Sequence, residues 1–353
     1  VTNKFTTNFH NFESPEEILL AYDESIQNGT VSLYPWQIKF LRAFAQPCTS
    51  EDPIKQILIA NNGAGKSQFI LAPCIIWLAI SFDTSLAYVT SSSASQLDSQ
   101  TERYIDVLCD KMNSKHKKEF GGIDIWDNKQ RQKFFKPTKS YIDLFATNEP
   151  KRAEGKHPLA PGAEFGIFID EGKSIEEDIY DAISRCHGYT RRLDSSSPGG
   201  CVGHFHRCAT AEGSDYSLST PNSLGWKSLR VTSFDCPHIS QREIKNLILE
   251  KGLHHPIVRS THFAEFTSVD EKVVIPIHIY DDCRRYFTKV INFGERRAGL
   301  DLAGGGDEVV MSIWEGNVNI FQETLRGTGT PDTTPIVNEI IQWITKWKLK
   351  PEN

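Results

Sequence analysis

One stretch constrains the fold more than any other. Residues 57–67 read ILIANNGAGKS, a short apolar run that breaks into a glycine turn and ends in Lys-Ser ahead of a long apolar segment. Backbone N–H groups converge on phosphate oxygens only where side chains are small, so Gly63, Ala64 and Gly65, entered through Asn61 and Asn62, suit a loop wrapped around a phosphate. Lys66 is then placed to reach the β- and γ-phosphates. The Ser67 hydroxyl can ligate Mg²⁺ at the start of a helix whose dipole favours anions. One position departs from a strict G-x-x-x-x-G-K-[ST] pattern, because Ala60 stands where the first glycine is expected. Residues 56–60 read as a buried strand and 67–82 (SQFILAPCIIWLAISF) as a buried helix with a proline-bent middle. The competing reading is a plain glycine turn between two core elements.

A chain of 353 residues with 39% apolar content is long enough for two domains with real cores. The strongly apolar stretch 69–82 is too short to span a bilayer, and the N-terminus lacks signal-peptide regions, so no membrane association is expected. The eight cysteines form no C-x-x-C pair, which argues against a zinc ribbon or a disulfide scaffold and fits a reducing cytoplasm. A net charge of −6 argues against coating nucleic acid with the whole surface. The densest basic strip, Lys115, Lys117, Lys118, Lys129, Arg131, Lys133, Lys136 and Lys139, is either a phosphate-binding face or a solvated one.

Ser14 followed by Pro-Glu-Glu predicts a capped helix over 15–27. YPWQ at 34–37 opens an amphipathic helix, and Gln37 can either read an adenine edge beside a stacking ring or serve as an ordinary helix cap. A strand at 86–90 leads through SSSASQ into a helix ending near 113. Alternating strands and helices with short loops predict a parallel α/β sheet. A hairpin is expected over 131–135 and 140–145. In EFGIFIDEGKSIEEDIYDAI, 166–169 reads as a buried parallel strand with Asp170 and Glu171 at its carboxyl end, where open α/β sheets bind ligands. Asp170 suits Mg²⁺ binding, directly or through water, and Glu171 suits polarising an attacking water. Ser174 and Glu177 are spaced as a capping box. In RRLDSSSPGG, Ser195, Ser196 and Ser197 end a strand that can neighbour the Asp170 strand, or form a serine-rich turn. Arg152, in a loop between these segments, is either a transition-state cation or a plain loop arginine.

YPWQ, ANNGAGKS, PKRAEGKHP, FIDEGKSIEEDIYDAI, SSSPGG with GHFHR, VTSFDCPHI and GLDLAGGGDEVVMSIWEG occur in an order that resembles the large terminase subunit of tailed bacteriophages over nearly the whole chain. That resemblance implies a RecA-like P-loop ATPase with a parallel central sheet and a small lid or linker subdomain, followed by a partial ribonuclease H-like α/β nuclease domain. It implies ATP and Mg²⁺ as cofactors, with Mn²⁺ an option at the nuclease site. It also implies double-stranded DNA held through its phosphates, a homo-oligomeric ring on a capsid portal, a small terminase subunit as partner, and action in the host cytoplasm. Carried over, Gln37 reads adenine, Lys66 and Ser67 bind phosphate and Mg²⁺, Asp170 is the second Mg²⁺ residue and Glu171 the catalytic glutamate. Ser195, Ser196 and Ser197 form the coupling motif, and Arg152 is a candidate arginine finger.

The implied division is an ATPase core at 1–198, a lid at 199–266, a linker at 267–292 and the beginning of a nuclease at 293–353. Strands at 297–302, 308–314 and 317–323 and a helix at 331–347 are expected in the last part. Asp301, placed inside a strand, reads as a metal ligand because a buried carboxylate is costly without a partner; Asp307 is a second candidate. Further carboxylates on another strand are expected for a working nuclease and lie outside this sequence. The readings left open beside a DNA motor are a RecA-like helicase, a nucleotide-switch assembly factor, and a metal nuclease whose phosphate loop has lost function.

Overall fold

The computed structural model describes residues 9–146, 155–267, 294–301, 308–316, 318–326 and 334–350. The chain divides into two compact units, Val1–Val273 and Val274–Asn353. The strands of the first unit are β1 Ile54–Ala60, β2 Leu86–Ser91, β3 Trp126–Lys129, β4 Gln132–Phe135, β5 Ser140–Ala146, β6 Phe165–Asp170, β7 Arg191–Ser196 and β8 Lys227–Val231. They form one sheet in the order β3-β4-β5-β2-β6-β7-β1-β8. Pairing is parallel from β5 to β8, and antiparallel only where β3 and β4 extend the edge.

Burial on both faces explains the near-continuous apolar runs of β1, β2 and β6. Along β1, Leu58 and Ala60 join one core cluster while Ile57 and Ile59 join another on the opposite face. That period of two sandwiches the sheet between helical layers. On the first face lies the helix Ala72–Ser81, buried at every position, together with Pro15–Tyr22, Pro35–Phe44 and Arg103–His116. On the other face Glu177–Ser184 packs on Tyr88, Phe165, Ile167 and Ile169, and Gly203–Thr210 packs on β1. Because β7 is inserted between β1 and β6, its Ser195 lies in register with Leu58 and its Ser196 with Ile59. The serine run therefore ends between the phosphate loop and Asp170.

Several local expectations change. The first helix stops at Tyr22, because Asp23 turns its carboxylate onto the N–H groups of Ser25 and Ile26 and caps the separate turn Glu24–Gln27; Ser14 makes no side-chain cap. The segment after the loop is two pieces, a π-helical turn Ser67–Leu71 and then the α-helix Ala72–Ser81. Pro73, with no N–H to give, falls at the changeover. Ser174 and Glu177 form no capping box: Ser174 closes a 3₁₀ turn, and Glu177 opens its helix behind Glu176. The expected hairpin is present as β4-β5, and β3 extends it. Segment 199–266 does not stand apart from the sheet. It supplies edge strand β8 and a helix whose Phe205, Cys208 and Ala209 cover Ile57 and Ile59, so 198/199 is not a boundary between units. KSLRV is too short and too polar for its period-two pattern to stand out in the sequence.

Much of the basic strip is neutralised internally. Arg131 forms a two-pronged pair with Asp98, Lys117 meets Asp124, and Lys129 meets Asp127. Lys133 is buried, with its amine 2.6 Å from Glu102 and 2.8 Å from Asp106. The seven described cysteines are free thiols.

In the second unit, β9 Arg296–Asp301, β10 Glu308–Glu315 and β11 Val318–Arg326 form an antiparallel sheet with β10 in the middle. The helix Thr334–Trp347 buries Trp343 against Met311 and Ile313. No helix among the described residues is long and apolar enough to cross a membrane.

Removing one partner of a buried ion pair leaves the other charge uncompensated. Lys133→Ala is therefore expected to destabilise the first unit by about 3 kcal/mol, read as a lower urea midpoint in tryptophan emission. A midpoint unchanged from the parent would refute the structural role given to this pair.

Candidate active site

The phosphate loop leaves β1 without any glycine at its first position. Ala60 is still in the strand, fully buried and paired with Val231 of β8. Positive φ begins later, at Gly63 (84°) and Gly65 (79°). A Cβ on Gly65 would also lie 2.6 Å from the Phe69 ring. The backbone thus requires glycine at 63 and 65 and tolerates alanine at 60, which accounts for the departure noted in the sequence.

Lys66 is buried, and its amine lies 3.3 Å from the Asn61 carbonyl and 3.5 Å from that of Ala60. Burial lowers its pKa from the usual lysine value, while the Glu171 and Asp170 carboxylates oppose that shift. Next to it, Ser67 Oγ donates to Asp170 Oδ2 at 2.6 Å. Thr101 Oγ1 donates to the same oxygen at 2.8 Å, and Ser195 Oγ and the Glu171 N–H donate to Oδ1 at 3.0 Å each. Asp170 is only 1% exposed. An ionised carboxylate has about four acceptor sites, so these four donors satisfy it.

Glu171 takes a left-handed backbone conformation (φ 51°, ψ 44°) immediately after the strand. For a residue with a Cβ this costs about 1–2 kcal/mol, and such strain gathers at functional sites. The turn lets consecutive residues face different tasks: Asp170 points into the hydroxyl cluster, while Glu171 lines the cleft. The three serines engage the Asp-Glu segment in order. Ser195 binds Asp170, Ser196 Oγ lies 3.4 Å from Glu171 Oε2, and Ser197 Oγ accepts from the Lys173 amine at 2.6 Å.

The cleft, about 380 Å³, is lined by Asn62, Gly63, Gly65, Lys66, Ser67, Gln68, Gln100, Tyr104 and Glu171. Asn61 and Ala64 are buried beneath it. Gln37 is also buried. Its amide oxygen accepts from the Tyr34 N–H at 2.8 Å, and its Nε2 lies 3.5 Å from the Ala64 carbonyl, so it caps its helix and braces the loop.

Gln100, Thr101 and Tyr104 escape the sequence reading; the available signal is their place on the helix after β2, whose strand end adjoins Asp170. His238 escapes it too. Its Nε2–H donates to the Gly63 carbonyl at 2.9 Å, and its Nδ1 shares a 2.7 Å hydrogen bond with the Tyr34 hydroxyl.

Arg152 and Asp307 lie outside the described residues. Asp301 ends β9 and is exposed, so the cost of a buried carboxylate, the reason for reading it as a ligand, does not apply. Among the described residues there is no group of three or more His, Cys, Asp or Glu side chains placed to hold a metal ion.

No protein-family model and no curated protein matches the chain. Among solved structures, it is similar to the large terminase of a thermophilic bacteriophage in complex with ADP, with 13% identity and a TM-score of 0.47 over 89% of this chain and 74% of that one. It is also similar to the ATPase domain of the Thermus phage P74-26 large terminase, at 13% identity and a TM-score of 0.43 over 69% of this chain and 98% of that one. The HK97 bacteriophage large terminase gives 13% identity and a TM-score of 0.45 over 94% and 72%. Identity this low and TM-scores below 0.5 leave the chemistry to the side chains of the site itself.

The two ends of the loop should respond oppositely to substitution. With a nucleotide as the phosphate-bearing probe of the cleft, Gly65→Ala is expected to bind more than tenfold more weakly than the parent. Ala60→Gly should leave that binding within about twofold while costing about 1 kcal/mol of stability, as glycine does inside an ordered element. Titration with a fluorescent ADP analogue checks both, and equal affinities for the two variants would contradict the loop geometry described.

Proposed function

We propose that this chain hydrolyses ATP at the carboxyl ends of its parallel sheet and uses the reaction to drive double-stranded DNA into a viral capsid. The observation that carries the hydrolytic part is the 2.6 Å contact between Ser67 and Asp170, which joins a phosphate-loop hydroxyl to a strand-end carboxylate 103 residues away. Glu171 lines the cleft beside them. Mg²⁺ favours oxygen donors and is commonly held by one or two carboxylates together with substrate phosphates. The Ser67 hydroxyl and Asp170 carboxylate are a donor set of that kind. When bound, the ion would neutralise charge developing on the β- and γ-phosphates.

The chain's own residues divide the remaining tasks. The backbone from Asn61 to Lys66 cradles phosphate, and Lys66 brings a positive charge to the β- and γ-oxygens. Glu171 orients a water and accepts its proton. Because Ser195, Ser196 and Ser197 touch Asp170, Glu171 and Lys173 in turn, a change at the γ-phosphate is relayed to the segment that follows them. Arg152 as a cation completing the site of a neighbouring subunit belongs to the same reading, and Gln37 belongs to it as adenine reader only once its Nε2 exchanges the 3.5 Å contact with the Ala64 carbonyl for the base edge.

The DNA-packaging role is supported by the ordered motifs that resemble large terminases. It brings with it phosphate-directed, sequence-independent DNA contacts, a ring on the portal and a small-subunit partner. The second unit is read as the start of a metal-dependent endonuclease, with Asp301 and Asp307 as its candidate ligands for Mg²⁺ or Mn²⁺.

Two substitutions test the hydrolytic assignment. Lys66→Ala should abolish phosphate release from ATP, and undiminished turnover would remove the site. Glu171→Gln should retain ATP binding and slow hydrolysis by about 10²–10⁴-fold, the range for removing a general base. Loss of binding in a folded Glu171→Gln protein would count against that role.

A further inference from the structure

Thr101 has no part in the reading above, yet its hydroxyl lies within hydrogen-bond distance of the central carboxylate. We propose that Thr101 is a positioning residue that holds Asp170 in the orientation needed to receive a metal-bound nucleotide; the proposal rests on the ATP-site assignment.

Three observations converge. The Thr101 hydroxyl donates to Asp170 Oδ2 at 2.8 Å, the same oxygen that Ser67 reaches at 2.6 Å. Thr101 is fully buried, so its hydroxyl makes this bond out of contact with bulk water. Its place in the chain is also pinned: the neighbouring Glu102 accepts from the Lys133 amine at 2.6 Å and from the Arg131 N–H, which ties this turn to the β3-β4 edge.

The division of labour follows from the two oxygens. Oδ1 is fixed by the Ser195 hydroxyl and the Glu171 N–H, both attached to the sheet. Oδ2 is fixed from the helical layer by Ser67 and Thr101. Ser67 is the residue expected to engage the metal, so its hydrogen bond is the one that binding perturbs. Thr101 is the Oδ2 donor that does not touch the nucleotide and can hold the carboxylate plane through that exchange. Without it, Oδ1 keeps its two donors but Oδ2 is held by Ser67 alone, so the carboxylate plane loses its second anchor on that side when Ser67 turns to the metal. Residues that orient a metal site from behind are worth about 10–100-fold in metal affinity.

The test compares the chain as it stands with Thr101→Val, which keeps the branched shape and removes the hydroxyl, and Thr101→Ser, which restores it. ADP affinity is measured with EDTA and again with Mg²⁺, and Mn²⁺ binding to the ADP complex is followed by electron paramagnetic resonance. The expected result is a Thr101→Val protein with ADP affinity in EDTA like that of the parent, at least a tenfold weaker Mn²⁺ site, and recovery in Thr101→Ser. Unchanged Mn²⁺ affinity in Thr101→Val overturns the proposal, as does an equal loss of ADP affinity in EDTA, which would mark Thr101 as structural only. Lys66→Ala separates the two levels. If that control binds ADP as the parent does, the nucleotide-site reading has failed; if it does not, an unchanged Thr101→Val disposes of Thr101 alone.

Discussion

The burial of the Asp170 carboxylate is the constraint on which the rest of the site depends. A carboxylate taken out of water costs several kcal/mol unless its lone pairs are met by donors. Here the donors come from far apart in sequence: the helix start after β1, the helix after β2, the end of β7 and the backbone of the next residue. Each can reach Asp170 only if β6 lies between β2 and β7, and β7 beside β1. Strand order and site geometry are therefore one requirement. A sheet assembled in another order would leave a buried carboxylate short of partners, which penalises the wrong topology as well as stabilising the right one.

This dependence explains what is legible in the sequence. Burial of β1, β2 and β6 on both faces makes them continuous apolar runs, and strand ends before glycine or acidic residues are clear punctuation. Lys66, Ser67, Asp170 and Glu171 accordingly stand out in order, and Ser195, Ser196 and Ser197 end the strand beside Asp170. Thr101, Tyr104 and His238 do not stand out. Their significance lies in which strand end they adjoin, a long-range fact that local spacing does not encode. β8 is hidden for a related reason: KSLRV is an edge strand with mixed burial, so its pattern is weak until β1 is there to receive it.

Where sequence and structure part, a local rule meets a competitor that it does not contain. A Ser-x-x-Glu spacing at 174–177 loses to the left-handed turn at Glu171, which sends the chain into a 3₁₀ turn before the helix can begin. The basic strip at 115–139 is dense in charge, while acidic residues on the neighbouring helix and loops meet much of it. Asp301 ends a strand without being buried, because a three-stranded sheet can leave one side of an outer strand exposed.

The two hydroxyls on Asp170 Oδ2 share one further property. Ser67 and Thr101 both lie in π-helical turns, Ser67–Leu71 and Leu97–Glu102, each joined directly to an α-helix. A π turn inserts an extra residue and so shifts the register of the side chains before it relative to the helix that follows. The following helices must keep their apolar faces on the sheet, with Ile75, Leu78, Ile105 and Leu108 in the core. An uninterrupted α-helix would tie the direction of each hydroxyl to that apolar stripe. The π turn releases the tie, so packing and site geometry are satisfied separately. A proline at 73 and a glycine at 65 are compatible with such a turn on the Ser67 side, whereas the Leu97–Glu102 turn carries neither residue. There the Glu102 contacts with Lys133 and the Arg131 N–H supply a tertiary hold on the widened turn, so the edge hairpin helps to fix the position of a hydroxyl at the centre of the site.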